Sequence, residues 1–147
     1  MAILPGALLR HAAERPEVPW LFWAEGWDWR WLSWGEAARR VMAEADTFAG
    51  GPPLVPSPDP LTPAALITDL ASQAAGAVVR VRGSGDEWQE WGAEDLGAAA
   101  DAVAREVAPA GPPAGGREIL VAGRPLAEPA ERAVVAWAIL QGAALLL

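Results

Sequence analysis

Between Gly51 and Pro60 lie five prolines: Pro52, Pro53, Pro56, Pro58 and Pro60. Each lacks an amide hydrogen and fixes φ, so neither a helix nor an internal strand persists through such a run. The segment 51–60 is therefore expected to be an extended connector. It divides the 147 residues into a stretch 1–50 and a stretch 61–147. No single element of secondary structure can span both.

In the first stretch, Leu8, Leu9 and Ala12 fall at helical spacing before Pro16. Two aromatic runs, Trp20–Trp23 and Trp29–Leu32, flank a short segment containing Gly26, the signature of a hairpin. Ser33 followed by Glu36 makes a capping box for a helix over 34–48, with Ala37, Val41, Ala45 and Phe48 on one face. Gly50 and Gly51 end it. After the connector the pattern restarts. Thr62-Pro63 opens a helix bearing Leu66, Leu70 and Ala74. A strand over 77–82, a turn over 83–86 and a strand over 87–91 precede a helix over 93–107 with Leu96, Ala99, Val103 and Val107. Residues 109–116 form a loop. Residues 118–122 then read as a buried strand, 129–140 as a largely buried helix stopped by Gly142, and 143–147 as a further buried strand. That succession is a parallel βαβ unit with a right-handed crossover. The expected fold class is α/β: β-hairpin plus helix units followed by a parallel βαβ element.

Trp31-Leu32-Ser33-Trp34-Gly35 and Trp88-Gln89-Glu90-Trp91-Gly92 share the pattern Trp-x-x-Trp-Gly at an offset of 57. Ala7-Leu8-Leu9 likewise answers Ala65-Leu66-Ile67. A helix–strand–strand–helix unit thus reads as occurring twice, against the alternative that nine tryptophans produce the match by chance.

The net charge is −8 and no basic stripe offsets it, so a polyanionic partner such as nucleic acid is disfavoured. There is no cysteine, which removes disulfides, thiolate metal sites and a cysteine nucleophile together, and fits a cytoplasmic setting. No apolar run approaches the roughly 20 residues that a helical membrane span needs. All eleven basic residues are arginine; there is no lysine and no asparagine.

The second stretch resembles the start of the adenylate-forming (AMP-binding) enzymes, the superfamily of acyl-CoA synthetases and luciferases. The residues that carry the resemblance are Trp88–Gly92, the helix 93–107, the loop 109–116, Arg117–Val121, Glu131–Gln141 and the ending Gly142-Ala143-Ala144-Leu145-Leu146-Leu147. They cover about residues 61–147. The stretch from Leu8 to Phe48 looks like the same opening again, with a Trp-rich hairpin. The resemblance implies an N-terminal scaffold of an acyl-CoA synthetase-like ligase that activates a carboxylic acid, such as a fatty acid, with ATP as an acyl-adenylate. ATP, magnesium and coenzyme A are then expected only for a full-length parent. Family members carry Pro-Asn-Ser or similar where this chain has Gly123-Arg124-Pro125-Leu126, so a contact made by that Asn does not carry over.

No catalytic, cofactor-binding or metal-ligating residue is assigned. The family's Ser/Thr/Gly-rich loop ending in lysine has no counterpart, and Gly83-Ser84-Gly85 joins two strands and precedes no helix. The leucine run 145–147 reads as the middle of a buried strand, and is expected to need a further strand beyond it to complete the sheet. His11 reads as a helix-surface residue paired with Glu14, and Asp28 as a turn residue. Trp27, Trp29 and Trp31, with Trp20 and Trp34, are expected to share one hairpin face packed over helices. The alternatives are that the cluster stacks on a sugar or an acyl chain, or that the chain is a stand-alone, non-catalytic interaction module that uses this hairpin to self-associate or to bind a partner protein; as a scaffold, its partner is the remainder of the parent enzyme.

Overall fold

In the computed structural model, which describes residues 2–48, 59–107 and 119–147, the local signals largely become the elements expected. Helix α1 spans Ile3–Glu14, strands β1 and β2 span Pro19–Glu25 and Asp28–Ser33, and helix α2 spans Trp34–Ala45. The Ser33 hydroxyl accepts from the Glu36 amide at 3.2 Å, as the capping box requires. A single 3₁₀ turn, Asp46–Phe48, follows α2. Helix α3 (Pro63–Ala74) starts with Pro63 in its first turn and with the Thr62 hydroxyl accepting from Ala65 N at 3.1 Å. Strands β3 (Val79–Arg82) and β4 (Trp88–Trp91) form the second hairpin, and helix α4 spans Ala93–Val107. Strand β5 (Ile119–Val121), helix α5 (Pro129–Gln141) and strand β6 (Ala144–Leu146) complete the order. Gly142 closes α5 in the left-handed conformation, φ +75°, which only glycine adopts without strain. The expected helix stop at Gly50 and Gly51, most of the 51–60 connector and the 109–116 loop lie outside the described residues.

The two halves share one sheet. Its strand order is β2-β1-β6-β5: β1 pairs antiparallel with β2 and parallel with β6, and β6 pairs parallel with β5. The β5–α5–β6 crossover is thus the expected parallel unit. The buried strand expected over the final leucines is β6, and the edges of the sheet are β2 and β5. Strand β6 is an interior strand, flanked by β1 from the first stretch, and Leu145 is fully buried. Hairpin β3–β4 stays a separate two-stranded sheet. The two copies of the repeated unit therefore share their order of elements but not their place in the fold.

Side-chain alternation gives the four-stranded sheet two rows that cross every strand. Leu32, Leu21, Leu145 and Leu120 are register partners from edge to edge, and the first three are buried beneath the helices. One residue along each strand, Trp31, Phe22, Leu146 and Val121 are again register partners, and they point to the opposite face. The core lies on the leucine side. Leu4 and Leu8 of α1, Trp34 and Val41 of α2, Leu66 and Leu70 of α3, and Val135 and Ile139 of α5 belong to it.

Asp69 and Arg132 join α3 to α5. The guanidinium grips the carboxylate through both oxygens, with Nη2–Oδ1 at 2.9 Å, and Gln73 Nε2 donates to the same carboxylate at 2.9 Å. Arg132 is 1% exposed. A guanidinium this deep requires its counter-ion.

Candidate functional site

The hairpin tryptophans do not share one fate. Trp29 and Trp31 are 59% and 58% exposed, and Trp27 at the hairpin turn is fully exposed. Trp20 and Trp34 are buried and stack on each other, ring centroids 4.8 Å apart at an interplanar angle of 17°. Alternation along β1 would have placed Trp20 on the side of Phe22 and Ala24. The pairing register shifts between Pro19 and Leu21, and such an irregularity releases a residue from strict alternation. Trp20 and Leu21 both enter the core as a result. The expectation of a single packed tryptophan face is corrected accordingly: two rings pack, and three face solvent.

What remains outside is an apolar sheet face. The row Trp31–Phe22–Leu146–Val121 runs across it, with Trp29 paired to Ala24 beside it. Val121 is 74% exposed, while Phe22 and Leu146 are half-buried. None of these positions carries a charge. The charged residues of the hairpin, Glu25, Asp28 and Arg30, alternate onto the other side or sit at the turn, where Arg30 and Glu25 approach to 3.4 Å. No known family model matches the sequence, and no curated protein matches it.

His11 occupies a second centre, unlike the surface position expected. It is buried, its Nε2 lies 2.8 Å from the Ile139 carbonyl, and Arg15 Nη2 lies 3.2 Å from its Nδ1. Arg15 has only hydrogens to offer, so Nδ1 accepts and Nε2–H donates: the ring is neutral. Burial is the largest influence on it and lowers its pKa, and Arg15 and Arg10 push the same way; the Ile139 hydrogen bond and Glu14 oppose. Trp34 covers the imidazole at 4.6 Å, and Arg15 lies over the same indole at 5.7 Å. With every ring nitrogen engaged, this centre locks α1 onto the end of α5 and leaves no atom free for chemistry. A readable signal was present: Leu4, Ala7, Leu8 and His11 form the i, i+3, i+4, i+7 stripe of α1, and all four are buried.

An open groove of about 850 Å³ separates the hairpin from α2 and the start of α3, lined by Trp23, Leu32, Ile67, Arg40 and Glu44 among others. Glu44 accepts a hydrogen bond from Thr68. The buried polar atoms without partners among the described residues, Trp20 Nε1, Gln73 Oε1 and Arg132 Nε, belong to residues that do not line it.

The Gly83-Ser84-Gly85 turn joins β3 to β4 as expected, and Glu87 lies against it: Gly83 N donates to the Glu87 carbonyl at 2.7 Å, and the Glu87 carboxylate crowds both glycines. A carboxylate so placed repels phosphate. Asp28 is an exposed turn-side residue, as read from the sequence. Among the described residues no three acidic or histidine side chains converge to hold a metal, and no helix is long and apolar enough to cross a membrane. Glu131, unremarked in the sequence, is buried near the start of α5 and accepts from Gly123 N at 2.7 Å and Arg124 N at 3.3 Å. It shapes the β5–α5 turn.

Proposed function

We propose that this chain is a non-catalytic docking unit whose open sheet face is covered by another protein surface. The observation that carries the reading is the uncharged row Trp31–Phe22–Leu146–Val121 with Trp29 beside it. Parallel strands such as β1, β6 and β5 are ordinarily covered on both faces, and among the described residues helices cover one. At roughly 200 Å² per fully exposed aromatic side chain, the row and Trp29 present on the order of 500 Å² of apolar surface. That is at the upper end of what a monomer exposes without a binding role. Covering it is worth about 12 kcal/mol gross, comparable with the roughly 4–15 kcal/mol that association costs. The face therefore supports reversible association of modest affinity. Replacing Trp29 and Trp31 together by serine tests the reading. The melting temperature should stay close to that of the parent chain when both are measured dilute, because these rings leave the core intact. A collapse of the cooperative melt would mean that the two rings hold the fold together, and the docking reading would fail.

A different observation favours a second reading. The order hairpin, helix, strand, helix, strand with a parallel β5–α5–β6 crossover matches the opening expected of an acyl-CoA synthetase-like ligase. In that setting the chain is its N-terminal scaffold and the remainder of the enzyme covers the open face. The ligase activates a carboxylic acid with ATP as an acyl-adenylate, and ATP, magnesium and coenzyme A bind in the remainder. A cytoplasmic setting goes with either reading. ATP-dependent hydroxamate formation by the full-length gene product, with none from this chain alone, is the expected result. An inactive full-length product would remove this reading and leave the first standing.

A further inference from the structure

We propose that the surface covering the open sheet face is a second copy of this chain, packed face to face about a two-fold axis that runs along the strands. The proposal rests on the docking reading above and names the partner. The first argument is area. The row and Trp29 offer on the order of 500 Å², and Trp27 at the adjoining turn adds roughly 200 Å². Two such faces together reach the lower end of the roughly 1,200–2,000 Å² buried in specific interfaces. The second is charge. In an isologous interface each face packs on a copy of itself, so a charged position would be buried without a partner unless the same face also carried its counter-ion. Every position of the row is uncharged although the chain carries −8.

The third argument is relief. The row falls in size from Trp31 on edge strand β2 to Val121 on edge strand β5. Rotation about an axis along the strands lays β2 of one protomer over β5 of the other, so that Trp31 meets Val121 of the second copy and Phe22 meets its Leu146. The high end of each face then fills the low end of the other, as two aligned sheets about 10 Å apart require. The competing occupants are an amphipathic helix of a separate protein and the remainder of a parent enzyme, neither of which would make the two ends of the row equivalent.

Sedimentation of the purified chain over a concentration series tests the proposal, with Trp31→Glu and Val121→Glu as variants. Both positions are exposed in the single chain, so each variant should keep its cooperative melt. The expected result is a monomer–dimer equilibrium for the parent chain, weakened by about tenfold or more by either glutamate, the scale of an interface anchor. Equal sensitivity at the two ends of the row is the signature of the two-fold arrangement. A chain that stays monomeric throughout, or a dimer indifferent to both glutamates, would overturn the second-copy proposal. In either case the docking reading would still be decided separately by the melt of the Trp29→Ser, Trp31→Ser chain.

Discussion

Two hydrogen bonds define the state of His11, one accepted from Arg15 and one donated to Ile139, and the first requires a neutral ring. Protonation would put a hydrogen on Nδ1 facing the Arg15 guanidinium, inside a pocket closed by Trp34. The charged groups nearby are Arg10 and Glu14 of the same helix and Arg15 just past its end; α2 brings Trp34 and α5 the Ile139 carbonyl. The folded-state pKa lies below the ordinary 6.5 because burial penalises the cation. The unfolded chain therefore takes up the proton first. Stability is fully present above about 6.5 and falls as pH drops from there through the lowered folded value. Thermal melts stepped down from neutral pH should show this loss before carboxylates begin to protonate, and His11→Gln should flatten it. Equal slopes in both chains would remove His11 as the cause. Gly142 belongs to the same centre. A Cβ there would strike the Arg15 guanidinium and come within 2.9 Å of His11 Cε1, at a φ of +75°. Gly142→Ala should cost roughly 1–3 kcal/mol in denaturant unfolding from backbone strain alone. A cost near zero would mean that the helix end relaxes freely.

Helix starts were legible because capping is local: Ser33 and Thr62 each bond a backbone amide three residues on, and spacing in sequence is all the motif needs. Leu8, Leu9 and Ala12 marked part of the inward side of α1, with Leu9 and Ala12 partly buried against the core, while its buried stripe runs through Leu4, Ala7, Leu8 and His11. Both hairpins and the parallel β5–β6 pair were legible, but the pairing of β1 with β6 was not. The pattern Trp-x-x-Trp-Gly ends both hairpins, yet β1 joins β6 from a distant part of the chain while β3–β4 stays apart. Gly35 sits against Pro16, where a Cβ would come within 2.8 Å of its carbonyl, whereas Gly92 meets nothing nearer than 3.9 Å. The same residue is thus sterically required in one copy and free in the other. The α3–α5 strut was equally hidden, because Asp69 and Arg132 are 63 residues apart. Asp69→Ala should lower stability by about 3–5 kcal/mol, since it strands a buried guanidinium. Replacing Asp69 by Leu and Arg132 by Met together should recover most of that in urea unfolding. If the double replacement is as damaging as the single one, the strut matters for its shape and not for its charge.

At the scale of the whole molecule, the proline-rich connector marks a boundary in sequence that the core does not respect. Division into a unit 1–50 and a unit 61–147 follows from the punctuation of the chain. The sheet instead threads β1 between β2 and β6, and one apolar cluster runs from Leu4 and Trp20 through Leu66 to Leu145. Without residues 2–48, strand β6 becomes an edge, Leu145 loses its register partner Leu21, and His11 and Trp34 no longer close the end of α5. An edge strand with a bare leucine row is also a template for aggregation. Residues 61–147 expressed alone should therefore show no cooperative melt. Adding residues 2–48 as a separate peptide should restore one, because the pairing of β1 with β6 needs proximity and not a covalent link. Two independent domains on a flexible tether would behave oppositely: 61–147 would melt by itself and ignore the peptide. That outcome would mean that the parallel β1–β6 ladder is incidental, and the open face would shrink to the hairpin alone.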